Sequence, residues 1–235
     1  MKKYIVFLIF LSEITLTTYG QNCDAYFPVK QGAVVTTQNF NAKNTLLSTN
    51  KLTVLSVNSD VKGMVINVKN EFTDAKTKEV SSIEYALRCS DNIFYVDMKN
   101  LLDPKSQSNL GNAQVKISGT DIEYPSQLQV GQILKDAEIK VDYSSTNDPM
   151  SFAMSAMNIN IKIFNRKVEA IENITTPAGT FECYKISYTF ETKSFVNIKG
   201  NNIEWVAKNI GTVKSESYDS KGKLISYSII SDIKN

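Results

Sequence analysis

The chain has 235 residues, 42% of them hydrophobic, with 26 Lys and Arg against 24 Asp and Glu, for a formal net charge of +2. That near balance, without a dense basic run, argues against nucleic acid and against electrostatic docking to a membrane. The chain has no histidine, which removes the commonest general base and metal ligand and excludes Ser-His-Asp triads and Cys-His dyads within this chain.

Residues 1–20 read as a secretory signal. Lys2 and Lys3 precede a short apolar run from Tyr4 to Leu11, and Thr18 and Gly20 form a small-residue exit before Gln21. The run is too short to span a bilayer. Cleavage after Gly20 leaves residues 21–235 as a single all-β domain with no further membrane segment, and losing Lys2, Lys3 and Glu13 takes the charge from +2 to +1. The expected location is outside the cytoplasm, periplasmic or secreted. Tyr19-Gly20-Gln21-Asn22 does not place small apolar residues directly before Cys23, so the expectation is that the protein is not a lipoprotein.

From residue 33 the first half fits a four-strand meander over about 33–40, 51–58, 62–73 and 79–89. Ile83, Tyr85, Leu87 and Cys89 share one face of the fourth strand. Three reversals bring the start of the first strand and the end of the fourth to the same end of the sheet, close to Cys23 and Cys89. Cys183 lies inside another strand-like run, the usual place of a structural thiol. Of the possible pairings of the three cysteines, Cys23–Cys89 is therefore favoured.

Ile93 to Met98 form a short strand, and Met98 to Leu102 a helical turn that Pro104 stops. Ala137, Ile139, Val141 and Tyr143 alternate with Glu138, Lys140 and Asp142, which predicts a strand with one wet face. Next comes the one stretch of unusual chemistry, PMSFAMSAMNINIKIF. As a helix it would bring Met150, Met154 and Met157 together as thioether ligands for Cu(I). The alternation of Ile159, Ile161 and Ile163 with Asn160 and Lys162 favours a strand instead, which separates the sulfurs and leaves no metal site. The apolar face then changes phase along the strand, as a bend or a bulge near Ala156 would cause. Met150, Phe152 and Met154 are either core residues, the commoner case, or the lip of a hydrophobic ligand cavity.

Pro177-Ala178-Gly179 marks a turn, Trp205 reads as a core anchor, and Leu224 to Ser231 form a terminal strand. Phe40-Asn-Ala-Lys, Phe72-Thr-Asp-Ala-Lys and Tyr218-Asp-Ser-Lys each place an aromatic residue before an Asn/Asp-Lys turn, the mark of solvated hairpin tips. Asp136/Glu138 and Glu182/Glu204 are the carboxylate pairs with the residue types of acid–base catalysis, but nothing in the sequence fixes their separation. Neither phosphate-binding glycine loop is present.

Glu123–Ala137, Asn173–Tyr188 and Glu204–Tyr227, together with the Cys23-x-x-Tyr26-Phe27-Pro28 opening and Tyr85-Ala-Leu-Arg-Cys89, resemble an exported bacterial family, domain of unknown function three-one-zero-eight, and its TapB-like relatives. One departure is Asn209, where Gly is more typical. The resemblance implies an all-β rolled or barrel-like fold in the cell envelope and supplies no catalytic residues.

The expectation is an all-β protein, an antiparallel curled sheet that is barrel-like or a spiral β-roll, with at most short helical turns. No enzyme activity, cofactor or metal is expected. The expected partner is an apolar or amphipathic ligand or an unknown envelope protein. The alternative is a structural or interaction module without a small ligand.

Overall fold

The computed structural model describes residues 25–60, 63–101, 114–144 and 158–234. Thirteen strands form one sheet: β1 Val34–Asn41, β2 Leu46–Asp60, β3 Gly63–Asp74, β4 Val80–Ser90, β5 Ile93–Val96, β6 Gln114–Gly119 and β7 Ile122–Pro125, then β8 Ala137–Ser144, β9 Ile159–Thr176, β10 Gly179–Lys193, β11 Ile198–Ala207, β12 Gly211–Asp219 and β13 Leu224–Lys234. A 3-10 turn, Met98–Leu101, stands where the sequence shows its helical hint. The first four strands match the predicted meander, β2 beginning five residues earlier than the pattern indicates.

Strand order explains the shape. It runs β6-β8-β9-β10-β11-β12-β13-β1-β2-β3-β4-β5-β7, with antiparallel neighbours throughout. Two meanders, β1–β5 and β8–β13, are joined where the first and last strands pair. The edge strands β6 and β7 stand at opposite ends of this order, yet only Thr120 and Asp121 separate them in the chain. A two-residue link spans less than about 11 Å even when extended, so the sheet has to curl until its edges nearly meet. Among the described residues the edges do not pair, and the curled sheet stays open along a seam.

Alternation decides which face turns inward. Ala137, Ile139, Val141 and Tyr143 are all buried, as their period of two predicts. Along the 18 residues of β9 the inward set changes phase, from Ile163 to Arg166 and Val168. The change occurs at Asn165, whose φ of 56° marks a bulge and whose N–H is accepted by Asp136 Oδ1 at 3.1 Å. The phase change expected near Ala156 lies outside the described residues; the one at Asn165 is separate from it and was not anticipated in the sequence.

Four apolar clusters fill the inside. Ile66, Val68, Leu87 and Phe94 anchor one, and Ile139, Val141 and Ile163 a second. Val168, Ile186 and Val206 form a third, and Cys183, Trp205, Val213 and Ile230 a fourth. Trp205 is buried as expected, and its indole N–H donates to Glu172 Oε2 at 2.7 Å.

Antiparallel order also gives the sheet two distinct ends. At one, the rim, lie the β1–β2, β3–β4, β10–β11 and β12–β13 turns. At the other, the base, lie the β4–β5, β9–β10 and β11–β12 turns and the entry of the chain at Ala25. The three Asn/Asp-Lys echoes all fall on the rim as hairpin tips. Asn41 Oδ1 accepts N–H of Lys43 and Thr45, Asp74 Oδ1 those of Lys76 and Thr77, and Asp219 Oδ1 those of Lys221 and Lys223.

Candidate functional site

The base holds a cavity of about 550 Å³. Its walls come from segments far apart in sequence, brought together by the β13–β1 pairing that sets Ile233 opposite Val35. Phe181 at the start of β10 and Ile210 in the β11–β12 turn complete the apolar lining, beside Val29. Lys30 and Lys208 are also among its lining residues, so apolar and basic residues share its walls.

The first described segment, from Ala25, is built into this end. Tyr26 is 4% exposed, accepts the Leu128 N–H on its phenol oxygen at 3.2 Å, and packs edge-on against Tyr184. Phe27 stacks on Phe94, with ring centroids 5.8 Å apart. The Asn209 N–H donates to the Ala25 carbonyl at 2.8 Å. Asn209 has a φ of 60°, the left-handed conformation that Gly adopts freely and that Asn tolerates better than other side chains. The departure noted in the sequence therefore leaves the turn intact.

A polar group crosses the interior. Arg166, 1% exposed, donates through Nη1 to the carbonyls of Glu123 on β7 and Lys135, at 3.0 and 2.8 Å. Its guanidinium lies 4.9 Å from the centre of the Tyr124 ring. Tyr124 and Tyr188 both donate to the Glu204 carboxylate, at 3.3 and 2.5 Å, and Asn202 donates to the Tyr188 oxygen. Burial, reinforced by the Glu204 charge, pushes both phenols well above their ordinary range. They are fixed donors at any physiological pH.

The sequence-predicted residues fare differently. Met150, Phe152 and Met154 lie outside the described residues, between β8 and β9, as does Cys23 at the chain start. Cys89 is buried on β4, and Cys183 is a free, fully buried thiol. The carboxylate pairs take separate roles. Glu204 faces the tyrosines while Glu182 is exposed. Asp136 caps the bulge at Asn165 while Glu138 pairs with Lys140 and Lys162. The base cavity and Arg166 escape the sequence reading. The cavity's turns at Pro177-Ala178 and Lys208–Ile210 are visible, but not their meeting with β1 and β13. Nothing in the sequence sets Arg166 apart, since Lys162, Lys167, Glu169 and Glu172 lie on the same strand.

The family model for DUF3108-like proteins matches residues 30–230. The chain belongs to the DUF3108-like family. Two solved structures share its fold at a TM-score of 0.72, each aligned over 91% of this chain and 100% of its own length. One, from Bacteroides fragilis, is 28% identical and is described as an exported protein with a YmcC-like fold. The other, from Parabacteroides distasonis, is 26% identical and is described as a lipoprotein. No curated protein matches the chain.

The second relative corrects one expectation. The exclusion of a lipoprotein rested on the four residues before Cys23, and a relative of the same fold carries that description. A local rule at one cysteine is too narrow to exclude lipid anchoring in this DUF3108-like chain.

Proposed function

We propose that this DUF3108-like protein is a non-enzymatic envelope protein that binds an apolar or amphipathic molecule in the base cavity. One observation carries the reading: a space of about 550 Å³ with apolar walls at Val29, Val35, Phe181, Ile210 and Ile233 and lysines among its lining residues. That size suits small-molecule sites, which run from about 300 to 1,000 Å³. The absence of histidine supports a role without catalysis, as does a Glu204 carboxylate held by two phenols. The Cys23–Cys89 pairing is retained as part of this reading, since Cys183 is free and enclosed.

Native mass spectrometry of protein purified from its own envelope, followed by organic extraction, tests the proposal. A stoichiometric apolar molecule is expected, and Ile233→Trp, which fills the cavity, should release it while leaving the fold intact. An apo mass for the unaltered protein overturns it. The second reading, a module without a small ligand, is favoured by the four apolar clusters that fill the described interior. It predicts the apo mass.

A further inference from the structure

Phe195 at the β10–β11 tip is 90% exposed, the most exposed large apolar side chain among the described residues, and Val196 beside it is 62% exposed. They are not isolated. Ile198, Val80, Leu47 and Ile225 lie within a few residues of the rim turns and are also exposed. With Leu46 and Phe72, the rim holds eight of the thirteen large apolar side chains exposed in the described residues. Such clustering at one end marks an interaction surface, whereas scattered single residues need no explanation.

The four tips stand side by side. The Ala42 N–H donates to the Ile225 carbonyl, Tyr227 donates to Asn44 Oδ1, and the Ala75 N–H donates to the Leu47 carbonyl. Gly200 pairs with Asp219, which carries the row across to the β10–β11 tip. Charge is gathered there as well. Lys43, Lys76, Lys78, Lys221 and Lys223 stand in or beside the turns, and Lys193 and Lys199 flank Phe195. The carboxylates in or beside these four described tips are Asp74, Glu79, Glu191 and Asp219, so lysine exceeds carboxylate there by three. In a chain with a net charge of +2, these four tips thus carry a local positive excess. The near-neutral average in the sequence hides this.

We propose that the rim docks on an anionic lipid surface, its apolar tips entering the headgroup region and its lysines meeting lipid phosphates. Apolar residues that insert beside basic residues that attract make up the composition of interfacial membrane contacts. Capped tips suit the role, because Asn41, Asp74 and Asp219 fix the turn backbone at Lys43, Lys76 and Lys221, whose side chains are exposed. The surface is at the end opposite the base cavity and independent of any ligand there.

The test is cosedimentation of the purified protein with vesicles of phosphatidylcholine alone and with added phosphatidylglycerol, at low and high salt. An acyl anchor binds both vesicle types alike, so the ratio between them reports the rim. Binding several-fold stronger to the anionic vesicles, and weakened by salt, is expected. Phe195→Ser with Val196→Ser should reduce it several-fold, and Lys221→Gln with Lys223→Gln should lower the anionic preference roughly tenfold or more. All four side chains are exposed, so unfolding is not expected; an unchanged melting curve checks it. Equal binding to the two vesicle types, or binding unchanged in both double variants, overturns the proposal.

Discussion

Arg166 shows how much one side chain can hold. It reaches from β9 to the carbonyl of Glu123 on the far edge strand and to that of Lys135, bracing strands that do not pair. Removing it leaves two carbonyls without their donor in a water-poor interior, where each unmade bond costs about 1–3 kcal/mol. Arg166→Met should lower the unfolding free energy by about 3 kcal/mol in urea titration, and Arg166→Lys by less. Cys183 is inert for a related reason: burial pushes its thiol up to about 11. The native protein should leave Cys183 unmodified by iodoacetamide near neutral pH and expose it only in denaturant, as peptide mapping would read. Cys183 was legible in the sequence as a structural thiol inside a strand, and the structure buries it there. Arg166 was not legible, because it sits just after a phase change that only the bulge at Asn165 reveals.

Single strands were the legible scale. Ala137 to Tyr143 and Ile83 to Cys89 alternate so cleanly that their inward faces follow from period two alone. The hairpin echoes were equally visible, because an Asn or Asp before a tight turn caps its own backbone. Close approach between strands was not visible. Gly200 on β11 is buried, and a Cβ there would overlap the Tyr218 carbonyl and the Phe190 ring. Gly200→Ala should therefore push β12 away and lower stability by about 1–3 kcal/mol. Hydrogen exchange should quicken first at the Gly200–Asp219 pair, while the base keeps its protection.

For the whole molecule, the missing histidine sets the pH response. Carboxylates at Glu169, Glu172 and Glu216 are held below the ordinary value of 4.5; at Glu172 the chief cause is the bond from the Trp205 indole, at Glu169 the Lys167 ammonium. A lowered folded-state value means that their stabilisation is complete above the unfolded value and is lost as pH falls through the folded one. Melting temperature should thus stay level between about pH 6 and 8, where no side chain of ordinary pKa changes charge, and drop below about pH 4.5. A transition centred near neutral pH would contradict this. What the sequence could not show at this scale is convergence. The cavity draws on residues from Val29 to Ile233, and the rim lysines come from hairpins spread along the chain.

The crossing at Thr120–Asp121 carries one more meaning. The N-terminal half supplies β1–β5 and also β6, which pairs only with β8 of the other half. The C-terminal half supplies β8–β13 and also β7, which pairs only with β5. Each half therefore lends an arm to the other, as in a domain-swapped dimer contained in one polypeptide. Neither meander can complete its own border alone. The two halves become native together, clasped at β1–β13 on one side and by the exchanged arms on the other.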